Sequence, residues 1–356
     1  MVVNAIMLST ALYTWFERRA IGRFQARIGP NRWGPFGLLQ PIADLLKMLL
    51  KEDTVPKDAD RWVFNIAPIV MFVPMLLIFA VIPFGKSSYI ANLNIGILFI
   101  ISVTTVSALA IFMAGWASAN KYAMFGAVRG VAQLVSYEVP MVLSIVGVIL
   151  LSGSLSTISI VESQRLPFLL LQPLGFLIFL LAASAEMNRT PFDLIEADSE
   201  IVAGYHIEYS GMKWGVLQAA EFAAPLATGA IMATLFLQGW RGTFLPSHLW
   251  FLLKVFSIVF LLLWIRATLP RFRVDQIMGF AWKGLFPLAL INLFVTAIEV
   301  LIWPLPNTGQ LWLMVGINWI VAVVSIVAFA NILGQRSFRR LRPRTSPLAG
   351  VTSEVG

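Results

Sequence analysis

Residues 131–151 read VAQLVSYEVPMVLSIVGVILL, an apolar run interrupted by a single charge, Glu138. A helix rises ~1.5 Å per residue and the hydrocarbon core of a bilayer is ~30 Å thick, so a run of this length crosses it. Lipid offers no partner to an unpaired backbone N–H or C=O, and each costs several kcal/mol there, which leaves the helix as the spanning form. The pattern recurs at 1–16, 63–83, 95–115, 168–187, 214–237, 249–265, 284–303 and 311–333, for nine candidate spans in all. Hydrophobic residues make up 58% of the 356 and charged residues only 12%, about half the charged share of a soluble domain. The expected fold is an all-α integral membrane protein with about nine transmembrane helices and one amphipathic helix on the cytoplasmic side. Residues 1–333 are expected to form a single polytopic domain, and 334–356 a basic, disordered cytoplasmic tail.

The basic residues give an orientation. Loops 17–62, 116–130, 186–213 and 266–283, with the tail, hold all but four of the 26 Lys and Arg residues. Lys86, Arg165 and Arg241 lie on the opposite side and Lys254 lies within a span. Loops rich in Lys and Arg stay in the cytoplasm, so the N-terminus is expected outside and the C-terminus inside, which an odd number of spans satisfies. The net charge of +8 therefore reads as membrane topology and not as nucleic-acid binding. The first run, 1–16, is short against the ~20 residues of a span. That points to a start upstream of Met1 or a tightly fitted helix. The run lacks the basic front and small-residue cleavage site of a signal peptide.

The chain has no cysteine, which excludes disulfides, iron–sulfur ligation and Cys-based zinc sites. Its two histidines, His206 and His248, lie outside the apolar runs, and no Gly-rich phosphate loop or dinucleotide fingerprint is present. If electrons are transferred, partner proteins carry them.

The chemistry is carried by carboxylates in unusual places. Glu138 and Glu221 each fall seven residues into a span, the first beginning near Val131 and the second near Trp214. Both are therefore expected ~10 Å below the cytoplasmic end. A charge near the middle of a span costs ~2.5–3.5 kcal/mol on insertion scales, so a matched pair asks for a reason. Proton relay is one. A protonated carboxyl bonded to a neighbouring helix or a partner protein is another. Glu299, near the outer end of its span, is read as snorkelling. For Lys254 snorkelling and function both stand.

Loop 186–213 gathers Glu186, Asp193, Glu196, Asp198, Glu200 and Glu208 against Arg189 and Lys213, on the side where loops are usually basic. Asp193, Glu196 and Glu200 share one helix face by spacing. Phe192, Ile195, Ile201, Val202 and Tyr205 are interleaved with the acids, so part of the segment is expected to be buried. Clustered carboxylates in partial burial titrate as a set. The first cytoplasmic loop places Arg18, Arg19, Arg23, Arg27 and Arg32 beside the turn residues Gly29-Pro30-Asn31 and Gly34-Pro35, with Trp33 and Phe36. Positive-inside charge explains the arginines; a docking surface for a soluble partner explains the turns and aromatics as well. At 38–50, Gln40, Asp44, Lys47 and Lys51 form one polar stripe on an apolar helix, expected to lie in the cytoplasmic interface, either as a surface helix that only packs or as the roof of an opening between lipid and a cytoplasmic partner.

Four blocks then resemble a known family: GPNRWGPFGLLQPIADLLK at 29–47, GWASANKYAMFGAVRGVAQLVSYE at 115–138, AEMNRTPFDLIEADSEIVAGYHIEYSGMKW at 185–214, and WIRATLPRFRVDQ at 264–276. They look like the H subunit of bacterial NADH:quinone oxidoreductase (respiratory complex I), the counterpart of mitochondrial subunit 1. The resemblance covers roughly 15–290. It implies a place at the junction of the hydrophilic and membrane arms, through which quinone enters from the bilayer. It implies no cofactor on this chain, quinone as substrate, and iron–sulfur clusters and flavin in partner subunits. It implies soluble quinone-site subunits, small membrane subunits and antiporter-like subunits as partners, and no nucleic acid.

By the same resemblance the quinone passage is expected at Arg18, Arg27, Trp33, Asp44, Lys47 and Arg266. The proton relay is expected at Glu138, Glu186, Glu196, Asp198, Glu200, Glu208 and Glu221. Asp198 stands where relatives often carry Glu. Thr104, Thr105, Val106 and Ser107 stand where some relatives carry a third-span carboxylate, which puts a relay step there in doubt. The anchoring subunit of an energy-converting membrane-bound hydrogenase is the nearest alternative. A stand-alone transporter predicts an internal repeat, and the sequence has none. A purely structural anchor predicts relay carboxylates that tolerate mutation.

Overall fold

The structure, a computed structural model, describes residues 2–195 and 202–341. Among them the secondary structure is helical apart from one isolated bridge, Gly85 to Ser88. In chain order the helices are α1 (Val2–Phe24), α2 (Gln40–Leu50), α3 (Arg61–Val81), α4 (Gly96–Ala117), α5 (Lys121–Ser152), α6 (Thr157–Ser163), α7 (Phe168–Leu171), α8 (Pro173–Glu186), α9 (Gly211–Phe236), α10 (Ser247–Thr268), α11 (Val274–Ile302) and α12 (Thr308–Leu341). Seven of them, α3, α4, α5, α9, α10, α11 and α12, are long and apolar enough to cross a membrane. The α8 helix is apolar but shorter.

Several boundaries differ from the sequence reading. The first helix runs through Phe24, past the expected end at 16, so Glu17, Arg18, Arg19 and Arg23 ride on its last turns and not in a loop. Helix α5 starts at Lys121, not near Val131. The Asn120 side chain caps it by accepting from the Tyr122 N–H at 2.9 Å. The expected single span at 168–187 breaks at Gln172, before Pro173, whose ring and missing N–H end one helix and start the next. Helix α12 continues through Leu341, so residues 334–341 are helical; the rest of the expected tail lies outside the described residues.

Prolines inside the spans matter for the site. A proline leaves the carbonyl four residues earlier without its helical donor. Pro68 in α3 frees the Phe64 carbonyl, and the Tyr209 hydroxyl donates to it at 3.2 Å. Burial pushes the Tyr209 phenol above its ordinary value, which keeps it a donor. Pro225 in α9 frees the Glu221 carbonyl, and Arg189 donates to it at 3.3 Å. Within α11 the backbone widens to a π turn over Ala281–Leu285, where Trp282 donates to Ser136 Oγ of α5 at 3.2 Å.

The core lies in two apolar clusters. One gathers around α5, α8, α9 and α10, and the other joins α3, α4 and α5 to the segment around Ile195, Tyr205 and Tyr209. Small residues let these backbones close up, as membrane helices require when no water drives them together. Gly126 of α5 faces the Cα of Gly204, 2.8 Å from where a Cβ would sit. Gly204 itself adopts φ 68°, and a side chain there would collide with the Ile195 carbonyl. Two glycines thus press the short turn Gly204–His206 onto α5 and deliver Tyr205 into the interior, 1% exposed.

Candidate functional site

Two groups of polar side chains gather where the arginine-rich segments meet the bundle. The first is at the surface. Arg18 of α1 pairs with Asp44 of α2 at 2.5 Å, Lys47 stands 3.9 Å from the same carboxylate, and Gln40 donates to it at 3.3 Å. The polar stripe of α2 therefore faces α1, while Ile42, Leu45, Leu46, Leu49 and Leu50 stay exposed. Arg27 donates to Gln25 at 2.7 Å, and Trp33 is exposed. Arg18, Arg27, Trp33 and Gln40 line one open groove of about 640 Å³, within the size range of small-molecule sites, ~300–1,000 Å³.

The second group is buried, and sequence reasoning missed its centre. Glu17 is 2% exposed. Its Oε1 accepts from Arg189 at 2.5 Å and also pairs with Arg266. One carboxylate between two guanidinium groups leaves a local excess of positive charge. Glu17 Oε2 is buried with no partner among the described residues. Arg266, on Glu17, and Asp44, on Arg18, thus meet different sides of α1, because consecutive helical residues point ~100° apart. The sequence does hold a signal for Glu17: an acid at the end of an apolar run, directly before two arginines. The basic residues that follow mask it as part of a charged loop.

Arg189 joins this group to the membrane carboxylates. Its Nη1 holds Glu17, its Nη2 donates to the Glu221 carbonyl, and its guanidinium lies 4.7 Å from the Phe222 ring centroid. The Glu221 carboxylate accepts from the Tyr205 hydroxyl at 2.9 Å. Contacts therefore run without a break from Arg266 through Glu17 and Arg189 to Glu221 and Tyr205.

Glu138 accepts from the Thr105 hydroxyl of α4. The threonine stands in the stretch where the resemblance puts a carboxylate in some relatives, so this chain meets Glu138 with a hydroxyl. Glu186, at the end of α8, borders an internal cavity with Thr104, Ser107 and Thr228 among its polar lining. The cavity measures about 50 Å³, room for roughly three water molecules at ~15 Å³ each. Glu208 accepts from Asn120 at 2.7 Å, next to the start of α5.

Glu196, Asp198 and Glu200 lie outside the described residues. Asp193 occupies a non-helical segment, so the shared helix face expected from its spacing does not extend to it. Phe192, Ile195 and Tyr205 are buried as expected, whereas Val202 is 59% exposed at φ 65°. Among the described residues no group of His, Cys, Asp and Glu is placed to hold a metal.

Two other charges have fixed partners. Glu299 does not snorkel; it is 3% exposed and bonded to Asn318 at 2.7 Å. Lys254 donates to the Gly239 and Arg241 carbonyls at 2.8 and 2.7 Å, closing the turn between α9 and α10.

A family model described as NADH dehydrogenase matches residues 1–297. The chain is 55% identical over 326 residues to the H subunit of the NADH-quinone oxidoreductase of Dehalococcoides mccartyi strain CBDB1, covering 92% of each chain. It is 50% identical over 288 residues to the H subunit of the same enzyme from Geobacillus kaustophilus, covering 79% of this chain and 86% of that one. It is 48% identical over 303 residues to the H subunit from Brevibacillus brevis, covering 83% and 90%.

Proposed function

The chain belongs to the H-subunit family of NADH-quinone oxidoreductases, multi-pass membrane components of an enzyme complex of the bacterial plasma membrane, and from that footing we propose that it forms the passage by which quinone enters and couples quinone reduction to proton translocation. In this reading α1 and the α7–α8 pair cross the bilayer together with the seven long helices. That makes nine spans, with the N-terminus outside and the loops 17–62, 116–130, 186–213 and 266–283 in the cytoplasm. Soluble subunits carrying the iron–sulfur clusters and flavin dock on those loops. Small membrane subunits and antiporter-like subunits flank the bundle.

The headgroup passes Arg18, Arg27, Trp33, Asp44 and Lys47 and reaches the neighbourhood of Arg266. The observation that carries the reading is the unbroken contact chain Arg266–Glu17–Arg189–Glu221. Reduction puts negative charge on the quinone before protons arrive. That charge competes with Glu17 for the Arg266 guanidinium. Glu17 then leans on Arg189, whose second nitrogen is drawn from the Glu221 carbonyl. Buried groups with two arrangements pass such a local charge event inward. From Glu221 and Tyr205 the change reaches Glu186 and its cavity, then Glu138 with Thr105. Glu196, Asp198, Glu200 and Glu208 complete the relay on the loop side.

The test is Glu221→Gln and Glu138→Gln in the assembled complex, reconstituted in liposomes. Quinone-linked proton transfer is expected to fall in both. Transfer at the wild-type rate in either variant removes that residue from the relay.

A further inference from the structure

At the end of the bundle away from the arginine-rich loops, five polar side chains lie buried in an otherwise apolar interior. Gln172 sits at the break between α7 and α8. Asn292, Thr296 and Glu299 share one face of α11, being four and three residues apart. Asn318 faces them from α12. Their exposures run from 0% at Gln172 and Thr296 to 4% at Asn318. Gln172 Nε2 donates to Thr296 Oγ1 at 3.0 Å, and Thr296 donates to the Asn292 carbonyl at 2.7 Å. Asn318 Nδ2 donates to Glu299 Oε2 at 2.7 Å.

Three polar atoms in this group have no partner among the described residues: Glu299 Oε1, Gln172 Oε1 and Asn292 Nδ2. Two glycines let the amides pack closely against the helix backbones. A Cβ on Gly147 would lie 2.9 Å from Gln172 Nε2, and one on Gly175 would lie 3.0 Å from Asn292 Nδ2. Orphaned buried polar atoms are costly, and a water satisfies such atoms when it finds two to four polar partners.

Charge then singles out Glu299. No other ionisable side chain occurs in 139–152 of α5, 168–185 of α7 and α8, 286–302 of α11 or 308–334 of α12. Helices α5, α8 and α12 pack against α11, and the other charged residues of these four helices, Lys121, Arg129 and Glu138 of α5, Glu186 of α8, Asp275 and Lys283 of α11 and Arg336, Arg339 and Arg340 of α12, all lie outside these stretches. An ionised carboxylate here would be a lone charge with one amide donor and no cation. An isolated charge at such a place is expensive, and buried charges elsewhere are paired or bound to a metal. The remaining arrangement is a carboxyl that carries its own proton.

We propose that Glu299 is the proton-holding group of a small hydrated pocket lined by Gln172, Asn292, Thr296 and Asn318. One or two waters link the free Oε1 to Thr296 and the amides. The pocket is separate from the carboxylates on the loop side. Gln172 and Glu186 bracket α8, which puts them roughly 20 Å apart at ~1.5 Å per residue.

The test is infrared difference spectroscopy on the purified, assembled complex with the wild-type chain or Glu299→Gln, at neutral pH, in H₂O and in D₂O. The wild type is expected to show a protonated-carboxyl C=O stretch that is lost in the variant, and that stretch shifts to lower frequency as D₂O exchanges in. Asn318→Leu, which leaves the acid in place, is expected to move the same band by removing its N–H donor. Glu138→Gln and Glu221→Gln are expected to leave it unchanged, so the result is independent of the relay. Only carboxylate bands at Glu299, a band that never exchanges, or a band indifferent to Asn318→Leu would each overturn the proposal.

Discussion

Arg189→Met is the sharpest perturbation of the contact chain, because it removes the middle member and leaves the Arg266–Glu17 and Tyr205–Glu221 contacts standing. The substitution removes the 2.5 Å bond to Glu17, the 3.3 Å bond to the Glu221 carbonyl and the stacking on Phe222. A hydrogen bond to a charged group contributes ~1.5–3 kcal/mol, and a partly exposed cation–π contact adds ~0.5–1 kcal/mol. Glu17 keeps Arg266, so the loss falls short of the ~3–5 kcal/mol for stripping a buried charge of its last partner. The complex should therefore assemble. If the lost interaction holds the proton-transfer arrangement, ~1.4 kcal/mol already means a tenfold slower step. The assay is proteoliposomes containing the complex, with NADH oxidation and proton uptake followed together and subunit content measured by immunoblot. Quinone reduction is expected within a few-fold of wild type, and protons moved per NADH to fall. An unchanged proton-to-NADH ratio in fully assembled Arg189→Met complex would refute the idea that this contact carries the coupling.

Gly204→Ala is expected to destabilise the complex by ~2 kcal/mol or more, since φ 68° disfavours any Cβ and the Ile195 carbonyl occupies its place. Reduced amounts of this chain in purified complex and a lower thermal midpoint are the readouts, and wild-type values for both would contradict the packing argument. Lys254→Leu removes two carbonyl partners at the α9–α10 turn, which at half-burial is worth ~1–2 kcal/mol. Thermal stability should drop with quinone reduction per assembled complex unchanged; lost activity at wild-type stability would instead make Lys254 functional.

The spans are legible because lipid enforces one backbone solution, and a single apolar run such as 131–151 suffices to see it. Their ends are not. Helix α5 extends back to Lys121 because Gly126 and Gly130 serve close packing against Gly204 and Ile195, while the sequence shows only small residues beside charges. Family resemblance marks Arg18, Asp44 and Arg266, but not that Asp44 and Arg266 meet different sides of α1. Glu17 and Glu299 escape the sequence for one reason. Whether a carboxylate near a helix end reaches water or turns inward depends on a side chain distant in sequence, Arg189 for the first and Asn318 for the second, and no local pattern encodes that meeting.

The prolines tie these observations together. Each of Pro68 and Pro225 releases one carbonyl from a membrane helix, and each released carbonyl is taken by a side chain from the segment between α8 and α9: Tyr209 at Phe64, Arg189 at Glu221. In lipid a freed carbonyl with no donor would cost several kcal/mol. The helix breaks and the loop contacts therefore go together: the prolines create acceptors, and side chains of this loop satisfy them. The loop is thereby anchored at both ends against α3 and α9, with Tyr205 and its hold on Glu221 between the anchors. Arg189 and Tyr205 both hold Glu221, the first at its backbone carbonyl and the second at its carboxylate, so the proposed relay needs no further group between them.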